Sequence, residues 1–339
     1  MATPTIDRQS STESTTQTIS LVKGLNLALR TCMERDPKVL VMGEDVGKLG
    51  GVFRVTDGLQ KDFGEQRVLD TPLAEAGIIG TAIGLAVRGY RPVCEIQFDG
   101  FIFPGFDQIV SQLAKLHYRT QGRVKLPIVV RVPFGGGIGA VEHHSESPES
   151  YFAHTAGLRV VACSNPVDGY WMLQQAIECD DPVLFFEPKR RYHEKAQLDP
   201  TAKPYPLFKS RVLRNGTTAT VATYGPMVRT CMDAAIAGAE DGVDLELIDL
   251  RTLSPLDLGP VYESVRRTGR LIVVSEAPSE SSIASEIAAR VQQECFYSLE
   301  APVLRVTGFD TPYPPAKLEE GYLPDLDRVL DAVDRSLAW

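Results

Sequence analysis

The sequence lacks the features that mark several classes of protein. Its six cysteines are scattered and form no Cys-x-x-Cys pair, so we expect reduced, buried thiols rather than a disulfide framework. No apolar run approaches the length of a membrane-spanning helix. The formal net charge is −9, and the nearest thing to a basic patch, residues 188–195, is expected to be a solvated loop. These absences argue against a membrane protein and against binding to nucleic acid.

The N-terminal residues lack the signs of a targeting segment. Half of the first twenty are Ser or Thr, with neither the apolar stretch of a signal peptide nor the arginine-rich pattern of a transit peptide. We therefore expect residues 1–19 to form a disordered tail and the protein to be cytoplasmic.

The rest of the sequence alternates short apolar runs with helical patterns. Nearly continuous apolar strands separated by helices are typical of parallel sheets covered on both faces. A segment rich in Pro and charge divides the series in two. The predicted fold class is therefore α/β, with two doubly wound domains over residues 20–195 and 210–339 and a linker over 196–209. The strands predicted in the first domain span residues 39–46, 93–98, 127–134, 159–164 and 182–188.

Between Asp70 and Arg88 a single charged residue, Glu75, stands in an otherwise mostly apolar stretch, DTPLAEAGIIGTAIGLAVRG. Thr71 and Pro72 predict the start of a helix, with Thr71 as the cap. Glu75 either stabilises the positive end of this helix or acts as a buried carboxyl that shares a proton with a heteroaromatic nitrogen. The many Gly and Ala residues would let a ligand or a partner chain approach the helix closely.

Two further predicted strand ends carry polar side chains. Glu44 follows the first strand, and Gln97 ends the strand before an aromatic run, FDGFIFPGF. Ligands of open α/β sheets bind at the carboxyl ends of strands, where aromatic rings such as Phe101 stack on flat ligands. The alternatives are a solvent-facing acid and an aromatic core.

A glycine-rich loop precedes two adjacent histidines in PFGGGIGAVEHHSESPES. The glycines imitate a dinucleotide fingerprint, but a polar loop follows them instead of an apolar helix. No carboxylate or Cys stands at metal-ligand spacing. His143 or His144 is therefore either a proton donor near neutral pH or a loop residue bonded to Ser145 or Ser147.

Several motifs, taken in order, resemble those of one family. From about residue 20 to the C-terminus the chain is similar to the β subunit of the thiamine-diphosphate-dependent 2-oxo acid dehydrogenases, the decarboxylase component of the pyruvate and branched-chain complexes. The resemblance implies a transketolase-like pyrimidine-binding domain followed by a transketolase C-terminal domain. The motifs that carry it are GEDVG, GGVFRVTDGL, DTPLAEAGIIG, EIQFDGFIFPGFDQ, HHSESPESYFAH, DPVLFFEPKR, DLRTLSPLD and GFDTPYPP.

The resemblance assigns roles to several of these residues. It implies that Glu75 hydrogen-bonds the aminopyrimidine ring of thiamine diphosphate and favours its imino tautomer. Leu73, Gln97 and Phe101 match the aminopyrimidine pocket, where Phe101 replaces the Tyr of many members and keeps only the stacking surface. Glu44 matches an acid near the cofactor. His144, rather than His143, matches the histidine that transfers protons while the acyl group passes to a lipoyl arm.

The resemblance also implies metal ions and partner chains. The main-chain carbonyls that match a structural potassium site belong to Ile128, Ala176, Ile177, Cys179 and Asp181. The Gly-Asp-Gly motif that helps to hold the diphosphate and Mg²⁺ is absent from this sequence. Half of the cofactor site is therefore expected on an α subunit, in an assembly of two α and two β chains.

We therefore expect a subunit that decarboxylates a 2-oxo acid and reductively acylates the lipoyl group of a dihydrolipoyl acyltransferase. A branched-chain substrate is favoured slightly over pyruvate. The alternatives are a noncatalytic subunit that docks the acyltransferase core and a self-sufficient transketolase-like synthase.

Overall fold

The computed structural model describes residues 16–339, and the expected tail lies mostly outside this range. Its last residues, 17–19, belong to strand β1, which pairs with β8, so for them the expectation of disorder is wrong. The strands are β1 (Gln17–Ser20), β2 (Val39–Gly43), β3 (Val68–Asp70), β4 (Arg91–Glu95), β5 (Val129–Phe134), β6 (Arg159–Ala162), β7 (Val183–Pro188), β8 (Lys195–Leu198), β9 (Arg211–Arg214), β10 (Ala219–Thr223), β11 (Leu245–Asp249), β12 (Thr252–Ser254), β13 (Leu271–Pro278) and β14 (Leu304–Gly308).

Helices connect most of the parallel strands and cover the sheets. Several begin at residues whose side chains cap the first turn: Ser20 caps α1, and Asn165 caps α6 with Pro166 in its first turn. The α-helices are α1 (Leu21–Arg35), α2 (Leu59–Phe63), α3 (Glu75–Val87), α4 (Ala114–Arg119), α5 (Glu149–Ala153), α6 (Pro166–Glu178), α7 (Met227–Glu240), α8 (Gly259–Thr268), α9 (Ile283–Cys295), α10 (Glu319–Tyr322) and α11 (Leu326–Leu337).

The strands form two main sheets of the doubly wound type. The first has the order β12-β6-β7-β5-β4-β2-β3, and all its pairs are parallel except β12 with β6. The second has the order β14-β13-β10-β11-β9, with β9 antiparallel at its edge. In the first sheet the chain passes from β2 to β3 on one side and then to β4 on the other. The strand order therefore reverses at β2, where ligands of such sheets bind.

The first sheet is buried on both faces because its strands are apolar at nearly every position. Val41 and Val93 point into the core beneath α1 and α6, whereas Met42 and Cys94 point into the core beneath α3. This alternation follows the two-residue period of a strand.

The two halves of the chain share an interface that the sequence did not indicate. Strand β12 lies beyond the predicted linker, yet it joins the first sheet, and one apolar cluster contains residues of both sheets. Buried polar contacts add to this interface: the Arg251 guanidinium lies 3.0 Å from the Asp168 carboxylate, and the Ser164 hydroxyl donates to Asp249 at 2.6 Å. The two domains are therefore packed together through a continuous core.

The basic segment 188–195 is part of this interface, so its assignment to a solvated loop is wrong. Lys189 and Tyr192 are buried, and the Arg190 guanidinium lies 2.5 Å from the buried carboxylate of Glu276. Composition predicted a surface loop because cations are usually exposed; here buried carboxylates from other elements compensate them.

The carboxyl of Glu149 is buried at the interface between the two domains. Tyr224 donates a hydrogen bond of 2.5 Å to Oε1, and Oε2 has no hydrogen-bond partner among the described residues. Burial raises the pKa of Glu149 to about 7. The folded-state pKa is above the unfolded one, so the stabilisation by the neutral form is complete at low pH and is lost as the pH rises through about 7.

We therefore expect Glu149→Gln to flatten the fall in stability between about pH 6 and pH 8. Urea-unfolding midpoints across this range measure the effect, and Glu65→Gln, at an exposed site, is the matched control. An unchanged slope in Glu149→Gln would show that another group causes the pH dependence.

Candidate active site

The predicted site residues meet at the carboxyl edge of the first sheet. Glu44 directly follows β2, Glu75 begins the helix after β3, and Gln97 lies two residues beyond β4. Because these three strands are parallel neighbours around β2, their carboxyl ends lie side by side. The site therefore occupies the point where the strand order reverses.

Helix α3 begins later than Thr71 and Pro72 predict. The Thr71 amide donates to the Gly43 carbonyl at 2.9 Å, which holds Thr71 and Pro72 extended beside β2. The helix begins at Glu75, with Ala74 as its N-cap. Glu75 is thus in the first helical turn, where the helix dipole favours a negative charge.

Glu75 and Glu44 form a pair of buried carboxyls. Their side chains are only 6% and 8% exposed, respectively. Burial is the largest cause of the raised pKa of Glu44, followed by the negative charges of Glu75 and Asp45. Glu44 Oε1 is also without a hydrogen-bond partner in residues 16–339. Two such carboxyls at one strand end can exchange a proton with a basic heteroaromatic ring.

Gln97 connects this pair to the loop after β4. Its Nε2 donates to the Glu44 carbonyl at 3.4 Å and to an Asp45 carboxylate oxygen at 3.3 Å. These long bonds leave the half-buried Gln97 amide close to the loop that carries Glu44.

The aromatic run after Gln97 holds His144. The Phe98 ring stacks on the imidazole with centroids 4.0 Å apart, and the Phe101 ring meets it edge-on at 5.1 Å. In the sequence Phe98 is one of several aromatics that follow Gln97. Its position immediately after Gln97 was the available signal, but which ring stacks on His144 depends on the loop geometry.

The two histidines have different environments. His143 is exposed and lies 3.5 Å from the Glu142 carboxylate. The Nδ1 atom of His144 is buried and makes no hydrogen bond within the described part of the chain, so a bond to Ser145 or Ser147 does not hold this ring nitrogen. Of the two histidines, His144 therefore has a buried ring nitrogen whose hydrogen-bonding capacity is unused within the described residues.

One side of the site is open. Leu73, predicted for the aminopyrimidine pocket, is 81% exposed, and the face of α3 that carries Ala76, Gly77 and Gly84 is also exposed. Apolar and backbone surface of this kind is suited to cover by another molecule.

The residues present fit a flat, basic ring at this place. Glu44 Oε1 and Thr71 Oγ1 are buried polar atoms without partners among residues 16–339, and the loop after Gln97 carries the paired rings of Phe98 and Phe101. A hypothetical Cβ on Gly105 would lie 3.6 Å from the Cβ of Glu75 and 3.4 Å from its main-chain oxygen, so the turn Asp99–Gly105 packs closely against the backbone that carries this carboxyl. Polar atoms of this kind need a hydrogen-bonding ligand or water.

Four of the five carbonyls predicted for potassium already accept hydrogen bonds. The Arg91 guanidinium donates to the Ile177 carbonyl at 3.0 Å and to the Cys179 carbonyl at 3.3 Å, and amides of Val183 and Cys179 donate to two others, those of Ile128 and Ala176. Each carbonyl has a second lone pair. Arg91 nevertheless already places a cation beside two of the five, and the potassium ion stays a prediction.

A separate cavity of about 750 Å³ lies between the domains. Ser145 and Glu146, which follow His144, line it together with Glu276, Tyr313 and residues around them. Glu44, Glu75 and Gln97 are not among its lining residues. The predicted cofactor residues instead lie at the carboxyl edge of the first sheet, on the side where Leu73 is exposed.

The described residues contain neither a metal-binding cluster nor a membrane-spanning helix. No group of three or more His, Cys, Asp and Glu side chains within residues 16–339 is arranged to hold a metal ion. None of the helices in this range has the length and apolar character needed to cross a membrane.

Comparison with known proteins identifies both halves of the chain. Residues 17–195 match the family model for the transketolase pyrimidine-binding domain, and residues 209–329 match that for the transketolase C-terminal domain. A solved structure titled "Split gene transketolase, inactive beta4 tetramer" has a TM-score of 0.79 at 21% identity and covers 94% of this chain and 98% of its own. At this identity the likeness shows the fold.

Curated relatives align over nearly the whole chain. The pyruvate dehydrogenase E1 component subunit beta of Leifsonia xyli is 62% identical over 323 residues, which cover 95% of this chain and 96% of the relative. The 3-methyl-2-oxobutanoate dehydrogenase subunit beta of Mycobacterium tuberculosis is 54% identical over 323 residues, with 95% and 93% covered. The 2-oxoisovalerate dehydrogenase subunit beta of Bacillus subtilis is 43% identical over 323 residues, with 94% and 98% covered.

Proposed function

Because the chain belongs to the family of 2-oxo acid dehydrogenase β subunits, built from two transketolase domains, we propose that it forms the β half of an enzyme that oxidatively decarboxylates a 2-oxo acid. The observation that carries this proposal is the meeting of Glu44, Glu75 and Gln97 where the strand order reverses, beside an uncovered apolar face. Retention of this set argues against a noncatalytic docking subunit.

Membership of this family implies thiamine diphosphate as the cofactor. When bound, it supplies the nucleophilic carbon for the keto group and accepts the electron pair left by carbon dioxide. In this chain Glu75 would hold a proton at a nitrogen of the aminopyrimidine ring. Leu73, Gln97 and Phe101 would surround that ring. Glu44 would lie near the cofactor as the second buried carboxyl beside Glu75.

The diphosphate and Mg²⁺ belong on a second chain in this proposal. The sequence has no Gly-Asp-Gly motif, and one side of the site is open at Leu73. An α subunit would complete the site, in a tetramer of two α and two β chains. A structural potassium ion at the carbonyls near Arg91 is a subsidiary proposal.

His144 is proposed to act in the second half-reaction, the transfer of the acyl group. We propose that its free Nδ1 transfers a proton while the acyl group passes to the lipoyl arm of a dihydrolipoyl acyltransferase. Its stacking on Phe98 fixes the ring plane for that step. We also propose a cytoplasmic location, which is consistent with the six free cysteines.

A branched-chain 2-oxo acid is the proposed substrate, supported by relatives named for 3-methyl-2-oxobutanoate and 2-oxoisovalerate. Pyruvate is the second candidate because the relative that is 62% identical is named a pyruvate dehydrogenase subunit. A panel of pyruvate and the 2-oxo acids of Val, Leu and Ile, with release of carbon dioxide as the readout, separates the two.

We expect this chain to release carbon dioxide from a 2-oxo acid only when mixed with a matching α chain. The physical reason is that this chain supplies only the proposed aminopyrimidine-binding residues. The residues that bind the diphosphate and Mg²⁺ would come from the α chain. The measurement is decarboxylation by β alone, α alone and the purified mixture, with thiamine diphosphate and Mg²⁺ supplied to all three. Full activity of β alone would contradict the two-chain site.

A further inference from the structure

The glycine-rich loop that leads to His144 is bound by a carboxylate of the second domain. The amide of Gly137 donates to Glu319 Oε1 at 2.8 Å, and the amide of Gly139 donates to Glu319 Oε2 at 3.0 Å. The Tyr313 hydroxyl donates to Glu319 Oε1 at 2.7 Å. Glu319 thus accepts three hydrogen bonds while it is 8% exposed.

The loop can be held in this way because it is made of glycine. Gly137 and Gly139 have φ angles of +86° and +70°, which residues with a Cβ rarely adopt. A Cβ on Gly136 would collide with the Tyr313 hydroxyl. The glycines therefore turn successive amides towards the second domain rather than towards a nucleotide.

The far end of the loop is held as well. The Gly135 amide donates to the Glu146 carbonyl at 2.9 Å, which closes the loop, and the Glu146 amide donates to Asp99 Oδ2 at 2.7 Å. Asp99 in turn forms a buried ion pair with Lys189. Because Asp99 follows Phe98, this bond also keeps the loop in register with the ring on which His144 stacks.

Two cations that follow β7, Lys189 and Arg190, compensate the carboxylates around the loop. Lys189 is buried and pairs with Asp99, and the carboxylates of Glu276 and Glu319 also act on it electrostatically. Glu276 accepts from the Gly136 amide at 3.2 Å and pairs with Arg190. Carboxylates from the second domain are therefore compensated partly by amides of the loop and partly by cations that follow β7.

We infer that Glu319, supported by Tyr313, is a positioning residue for His144. It acts through the loop and touches neither substrate nor cofactor. By fixing Gly137 and Gly139, it sets where the loop places the imidazole for transfer of the acyl group to the lipoyl arm. The inference rests on the proposed role of His144 and adds the second domain to the machinery of that step.

The test compares the two half-reactions in the reconstituted α and β pair. Glu319→Ala removes both acceptors and should lower reductive acylation of a lipoylated domain by about 10- to 100-fold, because small displacements of a catalytic group are costly. Decarboxylation measured with an artificial electron acceptor should stay within roughly threefold of the unmodified pair, since Glu75 is untouched. Tyr313→Phe, a milder change, should show the same selective loss to a smaller degree.

Glu320→Ala is the matched control because it removes the neighbouring, exposed carboxylate of the same short helix. Size-exclusion chromatography checks that each variant still assembles with the α chain. A double variant with His144→Ala completes the test: once His144 is absent, Glu319→Ala should cause no further loss of reductive acylation.

The outcomes separate the inference from the proposed function. If His144→Ala abolishes reductive acylation but Glu319→Ala and Tyr313→Phe leave it unchanged, the positioning role is overturned and the proposed function stands. Equal losses in both half-reactions, or additive losses in the double variant, would show that Glu319 stabilises the fold and does not position His144. If His144→Ala itself has no effect, the proposed role of His144 fails first.

Discussion

Replacing Glu75 with alanine or glutamine is expected to lower decarboxylation by the reconstituted pair by about 100-fold or more, in the range that positioned acid–base groups contribute. Glutamine keeps the shape and one acceptor but cannot hold the exchangeable proton. Both variants should therefore be defective, and both keep the backbone and Cβ of residue 75 that pack against the Asp99–Gly105 turn. Release of carbon dioxide at saturating thiamine diphosphate is the measurement.

The control for this prediction is Glu65→Gln, which changes an exposed carboxylate before β3 and should leave the rate unchanged. Assembly with the α chain has to be shown for each variant, because Glu75 begins the helix whose exposed face is available for contact. An assembled Glu75→Ala pair with normal decarboxylation would refute the proposed role of Glu75 and favour a scaffold subunit.

The second large effect is expected at Arg131, beneath the site. Its guanidinium forms two bonds with the Glu187 carboxylate, at 2.7 and 2.9 Å, and one with Glu95 at 2.7 Å. All three side chains are buried, and Tyr192 donates to Glu187 at 2.7 Å. One cation thus compensates two carboxylates from neighbouring strands of the same sheet.

Arg131→Met is expected to lower the free energy of unfolding by about 3–5 kcal/mol, because it leaves buried carboxylates without their cation. Burial already raises the pKa of Glu95, and Arg131 opposes this rise. Without Arg131 the folded-state pKa is raised further, so stabilisation by the neutral acid is present at low pH and lost as the pH rises. The deficit should therefore be smaller at about pH 5 than at about pH 8.

Urea unfolding monitored by circular dichroism at the two pH values is the measurement. Arg159→Ala is the matched control: its partner Asp181 lies 2.9 Å away, but both side chains are about 40% exposed, so its loss should cost less than about 1 kcal/mol. Equal costs for the buried and the exposed arginine would show that burial does not govern these pairs.

The hydrophobic pattern was sufficient to predict much of the secondary structure. The five strands predicted in the first domain are all present, and their ends differ from the predicted ones by a few residues at most. Such elements are predictable because their apolar periodicity is local. Helix α3 is the exception: Thr71 has the chemistry of a cap, but a hydrogen bond to β2 holds it outside the helix.

The motif residues were predictable for a related reason. Glu44, Glu75 and Gln97 are polar residues at the ends of apolar strands or at the start of an apolar helix, and parallel strands bring such ends together. The network of Asp99, Lys189 and Glu319 was not predicted. Its members are far apart in the sequence, and a buried ion pair has no local pattern by which to recognise it.

By itself, then, the sequence determined the α/β class, most helix and strand positions, the family and the residues proposed to meet the cofactor, because each depends on local periodicity or on a contiguous motif. Only the tertiary structure decided that cations 189–191 are held within the domain interface and that β12 returns to the first sheet. It also decided that Glu319 binds the histidine loop. These features depend on which distant groups compensate one another's charge and hydrogen bonds once they are removed from water, and that pairing exists only in the folded chain.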